Sequence, residues 1–319
     1  KYFDNSNILT VNSGTSALHL ALILTGVSTG DEVISTALTA EPTNTAIVQT
    51  GAKVIWADTE PNTGLICPKS VEKLITNKTR AIMIVHYAGM VANMNEFYKI
   101  REKYNIPIIE DCAHSFGAEY KKKKLGYYSD FAIYSFQAIK HLTTVDGGLL
   151  VLKSANDYDR AKKLRWFGLD KTIPRLQNNI TESGFKYHMN DVNATMGIVQ
   201  LDYLEENVNK YIENGLFFDR ELQNVEGIEI IKHHNDTKPS YWLYTAIIDR
   251  RDDFINHMKS NGVECSPLHL RNDRHSIFED GSHLSGLKSF CSNFIHWGCG
   301  WWISEKDRAD IIDLIKKGW

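Results

Sequence analysis

The tightest constraint on the fold is a set of short runs that are apolar at nearly every position: Arg80–Val85, Ile106–Ile109, Phe131–Tyr134 and Gly148–Leu152. A strand with one wet face alternates apolar and polar residues, whereas a strand covered on both faces need not. Shorter strand patterns at Asn7–Val11, Glu32–Ile34 and Lys53–Ala57 join them, and glycine turns precede the last two at Thr29–Asp31 and Thr50–Ala52. Between the strands, Ser16–Leu24, Pro68–Ile75 and Asn93–Tyr104 carry apolar residues at helical spacing. This alternation predicts an α/β fold with a mostly parallel central sheet flanked by helices.

The character changes after about residue 155. Asp157–Phe167 and a long amphipathic run over Asn190–Glu221 read as helices. Strand patterns at Ile228–Ile231 and Leu243–Ile248 follow, with helices over Arg251–Asn261 and Glu305–Lys317. A chain of 319 residues exceeds one small core. We therefore expect a large domain over 1–215, whose first segment lies upstream of residue 1, and a smaller C-terminal α+β domain over 216–319.

A net charge of −3 gives no electrostatic basis for binding nucleic acid. The one basic run, Lys121–Lys124, reads as an exposed turn. Five cysteines lie scattered with no Cys-x-x-Cys pair, which fits reduced thiols in a cytoplasmic enzyme and gives no metal-ligand spacing. No apolar run is long enough to span a bilayer.

Lys140 stands on a turn with a hydroxyl, Ser135, five residues before it and the Gly147–Gly148 pair shortly after. Asp111 ends the apolar run that precedes it, where open α/β sheets place their ligands. An amine and a buried carboxylate in that arrangement suggest a Schiff-base lysine and the acid that holds a pyridinium nitrogen, the equipment of pyridoxal 5′-phosphate (PLP) chemistry. Asn12–Ser16 precedes a helix, so Gly14, Thr15 and Ser16 form either an ordinary N-cap or a phosphate cradle, to which Ser135 adds a ligand. His114 is either a structural histidine or a partner for Asp111 or the cofactor ring oxygen.

Seven motifs in order carry a resemblance: Asn12–Ala17, Gly30–Ile34, Gly51–Val54, Val85–Gly89, Glu110–Ala118, Ser135–Lys140 and Asp146–Gly148. It continues through Gly184–Asp191 and Gly300–Asp307. Together they resemble the DegT/DnrJ/EryC1/StrS family, PLP-dependent aminotransferases of nucleotide-sugar metabolism with the fold-type I architecture. The resemblance implies that Lys140 forms the Schiff base, Asp111 pairs with the pyridine nitrogen and His114 sits beside the ring oxygen. It also implies that Thr15, Ser16 and Ser135 hold the phosphate. A homodimer with sites at the subunit interface would bring Lys186 and His188 to the partner's cofactor or to the substrate. Glutamate would be the amino donor, with pyridoxamine 5′-phosphate as the intermediate cofactor form. The acceptor would be a keto-sugar on a nucleoside diphosphate, preferably a 4-keto-6-deoxyhexose.

Arg165, Lys186 and Arg271 are candidates for the diphosphate, Trp166 and Phe167 for the sugar, and Tyr87, His269 and His275 for further substrate contacts. Many members stack an aromatic ring on the cofactor where this chain has Ala40, so His86, Tyr87 or a packing of small residues is expected to cover that face. A branch of the family places histidine at the lysine position and dehydrates sugars. Lys140 favours amino transfer over that alternative and over a non-catalytic PLP-binding regulator. A metallohydrolase built on Asp58, His86, Asp111, His114 and Asp130 leaves Lys140 unexplained. A nucleotide-binding dehydrogenase lacks its Gly-x-Gly-x-x-Gly motif.

Overall fold

The computed structural model describes residues 2–319. Its main sheet has seven strands in the order Ile8–Val11, Gly148–Leu152, Phe131–Ser135, Ile108–Asp111, Thr79–Val85, Glu32–Thr36 and Lys53–Ala57. Gly148–Leu152 is antiparallel to both of its neighbours, and every other pairing is parallel. Six strands therefore run one way and one runs against them. All five residues of Gly148–Leu152 are buried, and so are all but Arg80 in Thr79–Val85. Helices on both faces account for the continuous apolar runs.

A second sheet of four antiparallel strands is ordered Ile228–Ile230, Tyr244–Ile248, Phe294–Trp297 and Cys265–Ser266. A small ribbon pairs Thr237–Lys238 with Glu119–Tyr120, which pairs in turn with Lys123–Lys124. The basic run turns this hairpin, with Lys121 and Lys122 at positive φ, as an exposed turn requires.

Three differences from the sequence pattern stand out. The helix expected over Asn190–Glu221 is two helices, Asp191–Leu201 and Leu204–Leu222. The second buries Leu204, Val208, Tyr211 and Phe218, whereas the first buries no residue at all. One straight helix cannot serve two such different surroundings. The helix Glu41–Gln49 has no clear apolar period, because its burial rests on threonine and asparagine as much as on Ala46 and Ile47. Ser285–Asn293 and Phe294–Trp297 join without a turn residue between them, which hid both.

Buried polar contacts fasten the later segments onto the main sheet. Ser35 Oγ donates to Asn44 Oδ1 at 2.7 Å, and Asn44 Nδ2 donates to Asn272 Oδ1 at 2.8 Å. Asn272 Nδ2 then reaches the Thr39 carbonyl at 2.8 Å. The Asp58 carboxylate accepts the Gly286 and Leu287 amides at 2.8 Å each, capping the helix Ser285–Asn293 from across the fold. All five cysteines are free thiols. Among the described residues no helix is long and apolar enough to cross a membrane.

Candidate active site

Because six strands run in one direction, Val11, Val85, Asp111 and Ser135 finish on the same edge of the sheet. A cavity of about 330 Å³ opens there, bordered by Gly14, Thr15, Asp111, His114, Ser135 and Lys140. Ala40, Asp146 and His269 also reach it. This is the crevice beyond the carboxyl ends of the strands where such sheets bind ligands.

Asp111 is fixed from both oxygens. Thr43 Oγ1 donates to its Oδ2 at 2.7 Å, and the Ala113 amide donates to its Oδ1 at 3.0 Å. Burial nevertheless raises the Asp111 pKa above the usual carboxylate value, against those two donors and the nearby Lys140. Lys140 sits on a loop closed by hydrogen bonds from Phe136 to Gly147 and from Thr144 to Phe136, each 2.9 Å. Burial pulls its pKa down to about 8, and Asp111 opposes that shift. About a tenth of the amine is thus neutral and nucleophilic at pH 7.

His114 is buried, and its Nδ1 has no hydrogen-bond partner. Burial first, and then the Lys140 charge, push its pKa well below the ordinary value, so the ring is neutral. It lies parallel to Trp242 with centroids 3.9 Å apart, and to His269 at 5.4 Å. His269 Nε2 is likewise buried without a partner. Of the histidines with an unpartnered buried ring nitrogen, His114 and His269 are the two that border this cavity.

Asn12–Ser16 forms an N-cap, and part of the same turn lines the cavity. Ser13 Oγ accepts the Ser16 amide at 3.1 Å, and Ser16 Oγ donates to Asn12 Oδ1 at 2.6 Å. The Ser16 hydroxyl is therefore engaged inside the turn, leaving Ser13, Gly14 and Thr15 to face the cavity. A Cβ on Gly14 would stand 3.0 Å from Ser135 Cβ, so only glycine keeps that wall open.

Other expected residues lie elsewhere. His86 does not cover the Ala40 face: it is wholly buried, with Nε2 at 2.8 Å from Glu110 and Nδ1 accepting the Ala92 amide at 3.2 Å. Cys112 lies close to that pair, and burial drives its thiol pKa well above the ordinary value. Tyr87 turns its hydroxyl to the Leu268 carbonyl and to His296. Arg271 is held by Asp273 and by the Gly281 carbonyl at 3.0 Å, and it borders a separate cavity that His269 also reaches. Arg165 donates to the Thr10 carbonyl at 2.7 Å. Lys186 is exposed, while His188 packs edge-on against Trp166 with centroids 4.0 Å apart. Of the five residues of the metallohydrolase reading, Asp58 caps a distant helix and Asp130 accepts the Ile108 amide at 3.0 Å.

Thr43 and Trp242 are the site residues that sequence reasoning missed. Thr43 is one of several threonines in an unpatterned stretch. Trp242 is separated from Lys140 by a hundred residues of chain, and no spacing connects them.

Residues 1–315 match the DegT/DnrJ/EryC1/StrS aminotransferase family. The chain belongs to this family. It is 32% identical to GDP-perosamine synthase of Escherichia coli O157:H7 over 262 residues, 81% of this chain and 71% of that protein. The crystal structure of AtS13 from Actinomadura melliaura superposes with a TM-score of 0.94 at 36% identity, covering 99% of this chain and 88% of that one. The sugar aminotransferase CalS13 from Micromonospora echinospora gives 0.95 at 31%, covering 99% and 89%. The α/β architecture expected from the strand pattern is the architecture of these family members, and the chain is an aminotransferase.

Proposed function

We propose that this aminotransferase moves an amino group from glutamate to a keto-sugar carried on a nucleoside diphosphate, with PLP held beside Lys140. The observation that carries the proposal is the meeting of Lys140, Asp111 and the Ser13–Thr15 helix terminus around one cavity. Two features of that cavity fit the cofactor. The unpartnered His114 nitrogen offers a polar contact, and the missing Cβ of Gly14 leaves room against Ser135.

Bound there, PLP would supply a protonated pyridine ring that accepts the electrons released at the substrate carbon. The remaining chemistry belongs to the chain. Lys140 Nζ acts first as the amine that holds the cofactor, then moves a proton to or from the reacting carbon. Asp111 keeps the proton on the pyridine nitrogen, and Thr43 and the Ala113 amide orient its carboxylate. Thr15, Ser135 and the free amides of the Gly14–Leu24 helix hold the phosphate. His114 donates to or accepts from the ring oxygen.

The active unit in this proposal is a homodimer. The Asp191–Leu201 helix leaves Val192 and Ile198 each 67% exposed, with Val199 and Leu201 more than half exposed. Apolar side chains exposed on more than one side of this helix call for a covering surface, which a second copy of the chain would supply. Lys186 and His188 immediately precede it and would act across that interface. We place the boundary between the large and small domains near residue 216, within the Leu204–Leu222 helix.

The visible absorption spectrum of the PLP-loaded protein tests the proposal. Glutamate should replace the PLP band with that of pyridoxamine 5′-phosphate, and a nucleoside-diphosphate 4-keto-6-deoxyhexose should restore the first. A protein that takes up no PLP would overturn the proposal, and one whose band ignores glutamate would overturn the choice of donor.

A further inference from the structure

Lys140 is gripped by a segment far from it in sequence. Ser240 donates its amide to the Gly89 carbonyl at 3.0 Å, which anchors Ser240–Leu243 over the lysine loop. From there the segment holds both neighbours of Lys140. Trp242 Nε1 donates to the Ile139 carbonyl at 2.8 Å, and His141 Nε2 donates to the Ser240 carbonyl at 3.0 Å. The Lys140 Nζ lies 4.1 Å from the centroid of the Trp242 ring. The indole also stacks on His114. It borders a second cavity of about 620 Å³, and Lys140 lines both that cavity and the smaller one. Trp242 lines only the larger space, while Lys140, with its amine against the indole face, lines both.

We propose that Trp242 is a positioning residue for Lys140: its N–H fixes the backbone on one side of the lysine, and its π-face holds the ammonium form of the amine. An indole face attracts a cation, most strongly where water is excluded. The groups facing the amine are Asp111 from the main sheet, His114 from the loop after it, His269 from the second-sheet side, and His141 and Asp146 on its own loop. The three histidines are neutral at working pH, since burial pulls His269 and His141 to about 4 and His114 lower than its ordinary value. Asp111 and the indole face are left to favour the charged amine.

The test reads Lys140 on the full-length chain stripped of cofactor. Trace acetylation with acetic anhydride across a pH series, followed by mass spectrometry of the Lys140 peptide, gives the midpoint of its reactivity. Trp242→Leu keeps the position apolar and removes the π-face, so the midpoint should fall by about half to one pH unit. Trp242→Phe retains a weaker face and should shift it about half as far in the same direction. An unchanged midpoint, or an upward shift in the Leu variant, would overturn the proposal. If the Leu variant does not fold, the Phe variant decides by the same criterion. The inference takes its meaning from Lys140 as the reacting amine, but the labelling needs no PLP. Failure of the wild-type chain to bind cofactor would sink the functional reading while leaving the contact independently measured.

Discussion

Glu110 and Asp111 are consecutive residues at the end of one buried strand, and they face opposite ways into different chemistry. On the Glu110 side both carboxylate oxygens and both His86 ring nitrogens are engaged. His86 Nδ1 accepts the Ala92 amide, so its proton is on Nε2 and points to Glu110, whose other oxygen accepts the Tyr98 hydroxyl at 2.9 Å. Burial would raise the Glu110 pKa, but the His86 and Tyr98 contacts outweigh it and leave the value below the ordinary one. On the Asp111 side burial prevails, the pKa is raised, and the surroundings include a free amine, an unpartnered imidazole and a cavity. Two buried carboxylates next to a histidine look alike in composition. What separates a structural cluster from a reactive one is unspent hydrogen-bonding capacity facing open space.

Substitution should separate the two sides sharply. Lys140→Ala removes the amine proposed to react, and amino transfer measured with glutamate should fall by about a thousandfold or more. Its melting temperature should hold or rise, because a buried amine with a lowered pKa is not a source of stability. A Lys140→Ala protein that transferred amino groups at the wild-type rate would break the comparison. Asp111→Asn should slow the half-reaction by about a hundredfold, the scale of one well-placed charge. Glu110→Ala should do the reverse. It strands His86 and Tyr98 in the interior and should destabilise the fold by about 3 kcal/mol in urea unfolding. The rate per folded molecule should change little.

The signs of their pH dependence differ too. The depressed Glu110 pKa gives stability that is full above the unfolded carboxylate value and is lost as the pH drops through the folded one. The raised Asp111 pKa is a liability that grows as the pH rises from the unfolded value through the folded one, so Asp111→Asn should steady the protein at neutral pH.

The same contrast explains what the sequence made legible. Runs such as Thr79–Val85 and Gly148–Leu152 announced a covered sheet because both faces bury side chains. Motif order brought Lys140, Asp111, His114 and the helix terminus together, since each belongs to a strand end or the loop after it. His86 also follows a strand end, and the need to cover the Ala40 face drew it into the expected site. Its actual place depends on which face of the sheet it meets, a matter of single-residue parity that unpatterned apolar strands do not display. Trp242 was invisible for a different reason: the path from the second sheet back over the lysine loop is set by tertiary contacts to Ala88 and Gly89.

The Lys140 amine sharpens the comparison through the pH dependence of loading. With a pKa near 8, lowered by burial, the neutral fraction rises with pH and levels off above that value. The rate at which stripped protein captures PLP should climb about tenfold between pH 6 and pH 7 and flatten near pH 9. Stopped-flow absorbance would follow it. A rate that kept climbing toward the ordinary lysine value would mean that the amine is solvated and that the Asp111 side is not a buried site at all.

The smallest expected effect is the most specific. Thr43 Oγ1 donates to Asp111 Oδ2 and lies 2.9 Å from Thr39 Oγ1, so the two hydroxyls form a short chain ending on the carboxylate. Thr43→Val keeps the shape of the side chain and removes only the donor. A hydrogen bond to a charged group contributes roughly 1.5–3 kcal/mol, but Asp111 retains the Ala113 amide and can relax toward it. The carboxyl pKa should therefore rise further, and the glutamate half-reaction should slow by about threefold to tenfold. Thr43→Ser, which restores the donor, should recover most of that rate. The corresponding deletion on the other side, Tyr98→Phe, removes a donor of similar strength from Glu110 and should register in unfolding rather than in rate. If Thr43→Val lowered stability as Tyr98→Phe does and left the half-reaction untouched, the two carboxylates would be two halves of one structural cluster. The division between a sealed face and a reactive face would then fall.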